Sequence, residues 1–250
     1  MPSGEYKRTK EAKRKMSEAH RGLKHSKAIK GKISEKAHLK QANHCKLSQE
    51  AIEWIGGELL GDGCLYSQSK YSAGFTYGSK HFEYIHYVFD TLKSFGIEQV
   101  GRIYKVWKNK TIRNGKWVDR PITLFPKAFY YQSRAYVELK PIYDKWYPKP
   151  NRKKIIPKDI KLTTLTCRQW YIGDGCLAHP KNANPYIELC TCGFQVNDVK
   201  WLVEKLNNLG FKSTRKTSNN VIRISTYSTE DFLNYIGECP IKCYHYKWDY

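Results

Sequence analysis

The chain has 250 residues, and its 44 Lys and Arg against 23 Asp and Glu give a formal charge of +21. A charge of this size predicts attraction to a polyanion, of which nucleic acid is the commonest. Hydrophobic residues make up 40% of the chain, which is enough to bury a sizeable core and excludes wholesale disorder. No apolar run is long enough to cross a bilayer, and the N-terminus lacks the apolar segment of a secretory signal. We therefore expect a soluble, intracellular protein without a disulfide framework, in an organelle or in a bacterial or phage-infected cytoplasm.

Residues 1–46 differ in composition from the rest of the chain. They hold 14 Lys and Arg against 4 Glu, so almost half of the excess positive charge lies in less than a fifth of the chain. A short pattern at 15–20 (KMSEAH) returns at 32–38 (KISEKAH). Each copy follows a basic stretch that predicts a short helix, with Gly22 and Gly31 as stops. The segment is interpreted as a modular DNA-binding arm that becomes ordered on DNA, with a plain solvated tail as the alternative.

An internal duplication is the main feature of residues 47–250. The pentapeptide Gly-Asp-Gly-Cys-Leu occurs at 61–65 and again at 173–177, an offset of 112 residues. Further along, 92–97 (LKSFGI) resembles 206–211 (LNNLGF). Because the same elements surround both copies in the same order, we expect two similar halves of ordinary domain size.

Each half predicts the element order αββαββα. A helix precedes the Gly-Asp-Gly motif, and a hairpin, a second helix, two more strands and a short terminal helix follow it. We place the first half at 47–150 and the second at 151–250, with a basic, Pro-rich linker at about 148–161. The predicted fold is therefore α+β and built in tandem.

The helix before the first motif has clear start and stop signals. Ser48 is a suitable N-cap, and Gly61 ends the helix. Ile52, Ile55 and Leu59 fall on one predicted apolar face. In the second half, the corresponding cap is Thr163 or Thr164.

Asp62 and Asp174 sit at the ends of the two duplicated helices. A helix C-terminus is already negative, so two such ends brought together concentrate carboxylates and free carbonyls in one place. That arrangement suits a hard divalent cation, which prefers oxygen ligands. In a strongly basic protein it predicts metal-assisted chemistry on a phosphate.

At these residues the chain resembles the LAGLIDADG homing endonucleases. Residues 55–63 (IGGELLGDG) match the nine-residue motif, and residues 167–175 (CRQWYIGDG) align as its second copy. The resemblance to the single-chain, two-motif branch continues at 146–148 (WYP), 153–157 (KKIIP) and 246–247 (YK). The arm resembles the nuclease-associated modular domain of the third type.

The resemblance implies two saddle-shaped antiparallel sheets that sit in the DNA major groove, with the motif helices packed at a pseudo-two-fold axis. It implies that Asp62 and Asp174 bind catalytic Mg²⁺, that the carbonyls of Gly61 and Gly173 also ligate it, and that Ca²⁺ supports binding without cleavage. The implied reaction cuts each strand of a long, asymmetric duplex target once, leaves short 3′ overhangs and initiates mobility of an intron or gene. The implied active species is a monomer that does not bind membranes.

The second motif departs from the pattern at the positions where the family packs small residues. Gly56 and Gly57 are small, but their counterparts at the same offset are Arg168 and Gln169. This difference predicts an asymmetric or looser helix contact on that side.

The family also places basic and polar residues around the scissile phosphates and along the sheets. The candidates for DNA contact, each with an ordinary surface residue as the alternative, are Gln68, Lys70, Lys80, Arg134, Lys181, Gln195, Lys216 and Arg223.

Two other functions stay open on the same fold. An RNA maturase would bind host intron RNA with a similar basic surface, and such proteins often lose a motif Asp. A non-cleaving DNA-binding regulator would need neither Asp62 nor Asp174, yet both are present. The intact pair favours the nuclease.

Overall fold

The computed structural model describes residues 9–21, 26–106, 110–113, 116–119 and 126–250. The chain divides into one unit up to residue 41 and a larger unit from residue 42 to the C-terminus. Within the described residues, no helix is long and apolar enough to span a membrane.

The first unit contains helices α1 (Lys10–His20) and α2 (Lys27–Gln41), and Thr9 caps the N-terminus of α1. The prediction that Gly31 stops a helix is wrong, because α2 continues through it. One glycine inside a helix costs only about 1 kcal/mol relative to alanine, which neighbouring residues can offset. Gly22 lies outside the described residues. Large apolar side chains of both helices are exposed: Met16, Ile29 and Ile33.

Asn43 and Cys45 belong structurally with the larger unit, although they lie within the predicted arm. The side-chain amide of Asn43 donates to the carbonyl of Ala135 at 3.1 Å. The backbone N–H of Cys45 donates to the Glu138 carboxylate at 3.0 Å. These bonds attach the beginning of the larger unit to its first half.

The first half follows the predicted order with one addition, a separate hairpin between its third and last sheet strands. Its elements are α3 (Gln49–Leu60), β1 (Cys64–Tyr66), β2 (Gly74–Ser79), α4 (Phe82–Ser94), β3 (Tyr104–Val106), β4 (Lys110–Arg113), β5 (Lys116–Asp119), β6 (Ala128–Gln132) and α5 (Leu139–Trp146).

The second half repeats this order without the added hairpin and ends in a 3₁₀ helix that the sequence did not predict. Its elements are α6 (Thr164–Asp174), β7 (Gly175–Ala178), β8 (Tyr186–Leu189), α7 (Val196–Asn208), β9 (Ser213–Arg215), β10 (Ile222–Ile224), α8 (Thr226–Ile236) and the 3₁₀ helix (Lys242–Lys247).

Each half contributes one four-stranded antiparallel sheet. The strand order is β1-β2-β6-β3 in the first half and β7-β8-β10-β9 in the second, so the two sheets have equivalent topologies. The hairpin of β4 and β5 forms a separate two-stranded sheet. Apolar side chains on one face of each four-stranded sheet pack toward the helices, and the other face carries polar, aromatic and small side chains.

Helix α3 begins directly after its predicted capping residue, Ser48. More of its residues are buried than the predicted apolar face contains. The Ser48 hydroxyl accepts a hydrogen bond from the backbone of Ala51 at 3.1 Å. Ile52, which was assigned to the apolar face, is 42% exposed, whereas every residue from Trp54 to Leu60 is buried. A helix at the centre of a molecule packs against neighbours on all sides, so one apolar stripe does not describe it.

The motif helices α3 and α6 pack directly against each other. A Cβ atom added to Gly57 would lie 2.5 Å from the carbonyl oxygen of Thr166 and 2.7 Å from the Cβ of Gln169. The contact is therefore asymmetric, as predicted, with glycine on α3 facing larger residues on α6. It is nevertheless close. Thr163 caps α6 by accepting from the Thr166 N–H at 3.3 Å, and its hydroxyl also donates to the carboxylate of Glu53 on α3 at 2.9 Å.

Replacing Gly57 with alanine should separate the motif helices. We expect Gly57→Ala to lower the free energy of unfolding by about 2 kcal/mol or more, because the new methyl group meets backbone and cannot be accommodated by a rotamer change. Gly56→Ala is the matched control, since its Cβ would meet only the side chain of Ile160 at 3.6 Å. It should be neutral or stabilise by about 0.5–1 kcal/mol through helix propensity. Urea unfolding of both variants checks this, and equal stabilities would contradict the close contact.

Candidate active site

The two Asp residues of the motifs lie where α3 and α6 end side by side. Gly61 follows α3 and precedes Asp62, and Asp174 is the last residue of α6. A Cβ atom on Gly173 would lie 3.2 Å from the Cα of Gly61 and 3.1 Å from the backbone nitrogen of Asp62. A side chain at Gly173 would force these backbones apart by a few tenths of an ångström, so the duplicated Gly-Asp pairs bring the backbones of the two motifs together at this point.

The electrostatics of both carboxyls reflect this crowding. Burial raises the pKa of Asp62, and the ammonium groups of Lys247 and Lys154 counteract that rise. Burial, reinforced by the charge of Asp62, raises the pKa of Asp174 to about 7, again against the two lysines. In the protein alone, the two lysines therefore do not fully compensate for the burial of the two carboxylates.

Two lysines that the sequence analysis did not single out hold the carbonyls of the helix ends. The Nζ of Lys154 donates to the carbonyls of Gly61 at 3.2 Å and Gly63 at 2.9 Å. The Nζ of Lys247 donates to Ile172 at 2.6 Å and to Gly173 at 3.4 Å. One lysine ammonium thus lies at the C-terminus of each motif helix, where its positive charge offsets the negative end of the helix dipole.

These lysines are themselves taken out of water. Burial lowers the pKa of Lys154 and of Lys247, while the charges of Asp62 and Asp174 act in the opposite direction. Lys247 is only 7% exposed. The site is therefore a pseudo-symmetric arrangement of two carboxyls and two ammonium groups at the interface between the halves.

A third carboxyl lies deeper beside the first motif. Glu58 is fully buried and accepts a hydrogen bond from the hydroxyl of Tyr84 at 2.5 Å. Burial raises its pKa to about 8, so Glu58 is largely protonated at neutral pH. Gln169, at the position where a small residue was expected, donates to Tyr87 at 3.1 Å. The polar residues at the helix interface are thus partly accommodated by tyrosine hydroxyls of α4.

The eight predicted DNA contacts are not gathered around the Asp pair. The structure brings two of them together, since Lys216 and Arg223 both bind Glu188 on the second sheet. The other six are exposed and dispersed: Gln68 and Lys70 between β1 and β2, Lys80 between β2 and α4, Arg134 after β6, Lys181 between β7 and β8, and Gln195 at the start of α7.

The sequence contained only a weak signal for the two lysines. Lys154 and Lys247 are 93 residues apart, whereas the motifs repeat at 112, so the duplication does not align them. Their shared property is that each lies shortly after an equivalent helix, α5 for Lys154 and α8 for Lys247. Both also lie in the segments 153–157 and 246–247 that carried the resemblance.

The Asp pair is suited to a divalent cation. Two carboxyls lie at neighbouring helix C-termini, and each pKa is raised, so an added positive charge would stabilise both ionised forms. Within the described residues no group of three or more His, Cys, Asp or Glu could hold a metal. A cation at this place would therefore take its remaining ligands from carbonyls, water or substrate.

The model of the LAGLIDADG DNA endonuclease family matches residues 52–232, a span that includes both Gly-Asp-Gly motifs and Lys154. The chain belongs to this family. Membership identifies it as a LAGLIDADG DNA endonuclease.

Individual proteins similar to this LAGLIDADG chain include one curated sequence and two solved structures. The homing endonuclease I-WcaI, bound to its DNA recognition sequence, has a TM-score of 0.63 at 19% identity, covering 91% of this chain and 96% of that chain. I-DmoI, in complex with DNA and Mn, has a TM-score of 0.41 at 14% identity, covering 74% and 97%. The uncharacterized protein MJ1098 of Methanocaldococcus jannaschii is 25% identical over 214 residues, covering 81% of this chain and 78% of its own length. The likeness to I-WcaI and the two equivalent sheets confirm the predicted α+β fold.

The raised pKa of Asp174 predicts a pH-dependent effect on the stability of this LAGLIDADG protein without metal. A carboxyl whose pKa is higher in the fold than in the unfolded chain destabilises the fold progressively as pH rises from about 4 to about 7. Asp174→Asn removes that cost. Relative to wild type, the variant should therefore gain on the order of 3 kcal/mol between pH 4 and pH 8.

Unfolding in EDTA at the two pH values measures the gain. Asp231→Asn, an exposed position on α8, is the control and should show no such change. A difference between Asp174→Asn and wild type that is the same at pH 4 and pH 8 would contradict the crowded carboxyl pair.

Proposed function

We propose that this chain is a site-specific homing endonuclease that hydrolyses one phosphodiester bond on each strand of a DNA duplex and leaves short 3′ overhangs, initiating mobility of an intron or gene. The observation that carries the proposal is the meeting of two motif helices that places Asp62 and Asp174 together in a protein of charge +21. Family membership and the DNA-bound state of I-WcaI support it.

Asp62 and Asp174 are proposed to hold a divalent cation, Mg²⁺ for cleavage, with Ca²⁺ supporting binding alone. A cation bound there would supply Lewis-acid activation of water and neutralisation of phosphate charge. The carbonyls of Gly61 and Gly173 already accept hydrogen bonds from lysines. Since a carbonyl oxygen has two lone pairs, each keeps one acceptor position that such a cation or its water can use.

Lys154 and Lys247 are proposed to orient the site and to stabilise negative charge on the scissile phosphates. Their positions are fixed by the carbonyls of α3 and α6, so no rearrangement is needed when charge develops. Burial lowers the pKa of both lysines, and the charges of Asp62 and Asp174 act against that lowering, so the carboxylates favour the charged form of each ammonium.

Both motifs and both sheets lie in one unit of one chain, which supports action as a monomer. The halves differ in the hairpin of β4 and β5, so the proposed target is long and asymmetric. The arm of residues 1–46, with its net charge of +10, is proposed to add contacts to the phosphate backbone.

Cleavage of a duplex that carries the uninterrupted insertion site of the host gene tests the proposal. Wild type should cut each strand once in Mg²⁺ and should bind without cutting in Ca²⁺ or EDTA. Asp62→Asn and Asp174→Asn should bind the duplex nearly as wild type does and lose cleavage. Lys154→Met should lower the cleavage rate about 100-fold or more, because it removes a positioned positive charge.

Matched variants separate these effects from general changes in charge. Lys153→Met alters the exposed neighbour of Lys154, and Asp231→Asn alters an exposed carboxyl on α8, so both should cut at the wild-type rate. Normal double-strand cutting by either motif Asp variant would refute the proposed site. Tight binding by wild type without cutting in any metal would instead favour the RNA maturase or the regulator, with RNA as the next ligand.

A further inference from the structure

Equivalent cross-strand rows of side chains lie next to the two motifs, on the sheet faces that point away from the helices. Cys64 pairs with Thr76, which pairs with Gln132, and we name these three residues the first row. Cys176 pairs with Glu188, which pairs with Arg223, and these three form the second row. Cys64 and Cys176, and likewise Thr76 and Glu188, are separated by the duplication offset of 112 residues.

The burial pattern shows which way the rows face. In β8 the buried residues Ile187 and Leu189 point toward the helices, so Glu188 points to the opposite face. In β2 the residues on either side of Thr76, Phe75 and Tyr77, are buried toward the helices, so Thr76 also points to the opposite face. On the proposed function, to which this inference adds, these opposite faces are the ones that meet the DNA.

The second row is a fixed network of charges. Glu188 Oε1 accepts hydrogen bonds from Lys216 Nζ at 2.9 Å and from Arg223 Nη2 at 3.3 Å. The guanidinium of Arg223 also lies 4.0 Å from the ring centroid of Tyr186, whose hydroxyl is 3.1 Å from Nη2. Lys216 and Arg223 lower the pKa of Glu188, so the carboxylate is ionised at neutral pH. Arg223 is therefore held in one orientation before any ligand arrives.

The first row, by contrast, has no charged side chain. Thr76 donates its hydroxyl hydrogen to the carbonyl of Tyr131 at 3.0 Å, and Gln132 beside it is half-buried. Glu188 thus replaces threonine, and Arg223 replaces glutamine, at structurally equivalent positions of the second sheet.

These residue types recognise different base pairs in the major groove. Arginine matches the two acceptors of guanine, and a carboxylate accepts from the amino group of cytosine. Glutamine matches the acceptor and donor of adenine, and the threonine methyl contacts the methyl group of thymine. We propose that the second row specifies a G·C pair and the first row an A·T pair at equivalent positions of the two half-sites.

Selection of bound duplexes from a random DNA pool in Ca²⁺, followed by sequencing, tests this inference. Wild type should enrich a site with a G·C pair in one half and an A·T pair at the equivalent position of the other, each preferred about tenfold over the alternatives. Glu188→Thr combined with Arg223→Gln should convert the G·C preference to A·T in that half only. Thr76→Glu combined with Gln132→Arg should make the reciprocal change.

A control variant and thermal unfolding separate readout from loss of structure. Asp198 lies on helix α7, on the other side of the second sheet, and its carboxylate pairs with Lys158. Asp198→Asn removes this carboxylate and should leave the selected DNA site unchanged. Both row exchanges are expected to remain folded with a cooperative thermal transition, although loss of the Glu188 ion pairs lowers the unfolding temperature of the exchange in the second row. The same base pair at both positions, or a preference that survives the exchanges in folded variants, would overturn the inference while leaving the endonuclease proposal intact. Failure to enrich any sequence would instead overturn the proposed function, and this inference with it.

Discussion

The structure depends on the contact between α3 and α6, in which backbone approaches backbone without an intervening side chain. At Gly57 there is no room for a methyl group without displacing the partner helix, and where Gly61 meets Gly173 a methyl group would force the backbones a few tenths of an ångström apart. This contact makes the two halves one packed unit and fixes the separation of the two sheets. It also brings Asp62, just after α3, close to Asp174, at the end of α6.

The same contact creates an electrostatic conflict that the protein resolves only in part. Two carboxyls at two negative helix ends repel each other, and burial makes their ionisation still less favourable. Lys154 and Lys247 supply two positive charges, but their ammonium groups donate hydrogen bonds to backbone carbonyls. A remaining need for positive charge beside the carboxyls is what a cation-binding site requires, so the instability of the site and its proposed chemistry have one cause.

Features encoded within a few neighbouring residues could be predicted from the sequence. Ser48 and Thr163 cap the helices that they were expected to cap, and the duplicated Gly-Asp-Gly motif gave the tandem α+β fold and the pairing of Asp62 with Asp174. The resemblance to a known family supplied the expectation of saddle-shaped sheets, which local patterns alone do not contain.

Features that arise from tertiary contacts could not be predicted. Lys154 caps a helix that ends more than 90 residues earlier, and no local pattern links the two. Ile52 has the helical spacing of an apolar face but is exposed, although Ala51 before it is fully buried, because tertiary neighbours and not spacing decide which side of the first turn of α3 is covered. No local pattern marks Glu188, because an acid is not an expected DNA contact, and only the folded sheet places Arg223 opposite it and Lys216 within hydrogen-bond distance.

We propose that the two motif helices build one cation site from both halves. Anomalous diffraction from crystals of the protein grown with its target duplex and Mn²⁺ tests it most directly. Manganese density is expected in contact with the carboxylates of Asp62 and Asp174, and it should be lost from both in the Asp174→Asn variant. Manganese bound elsewhere on the protein, with Lys154 and Lys247 alone occupying the space between the carboxylates, would contradict it.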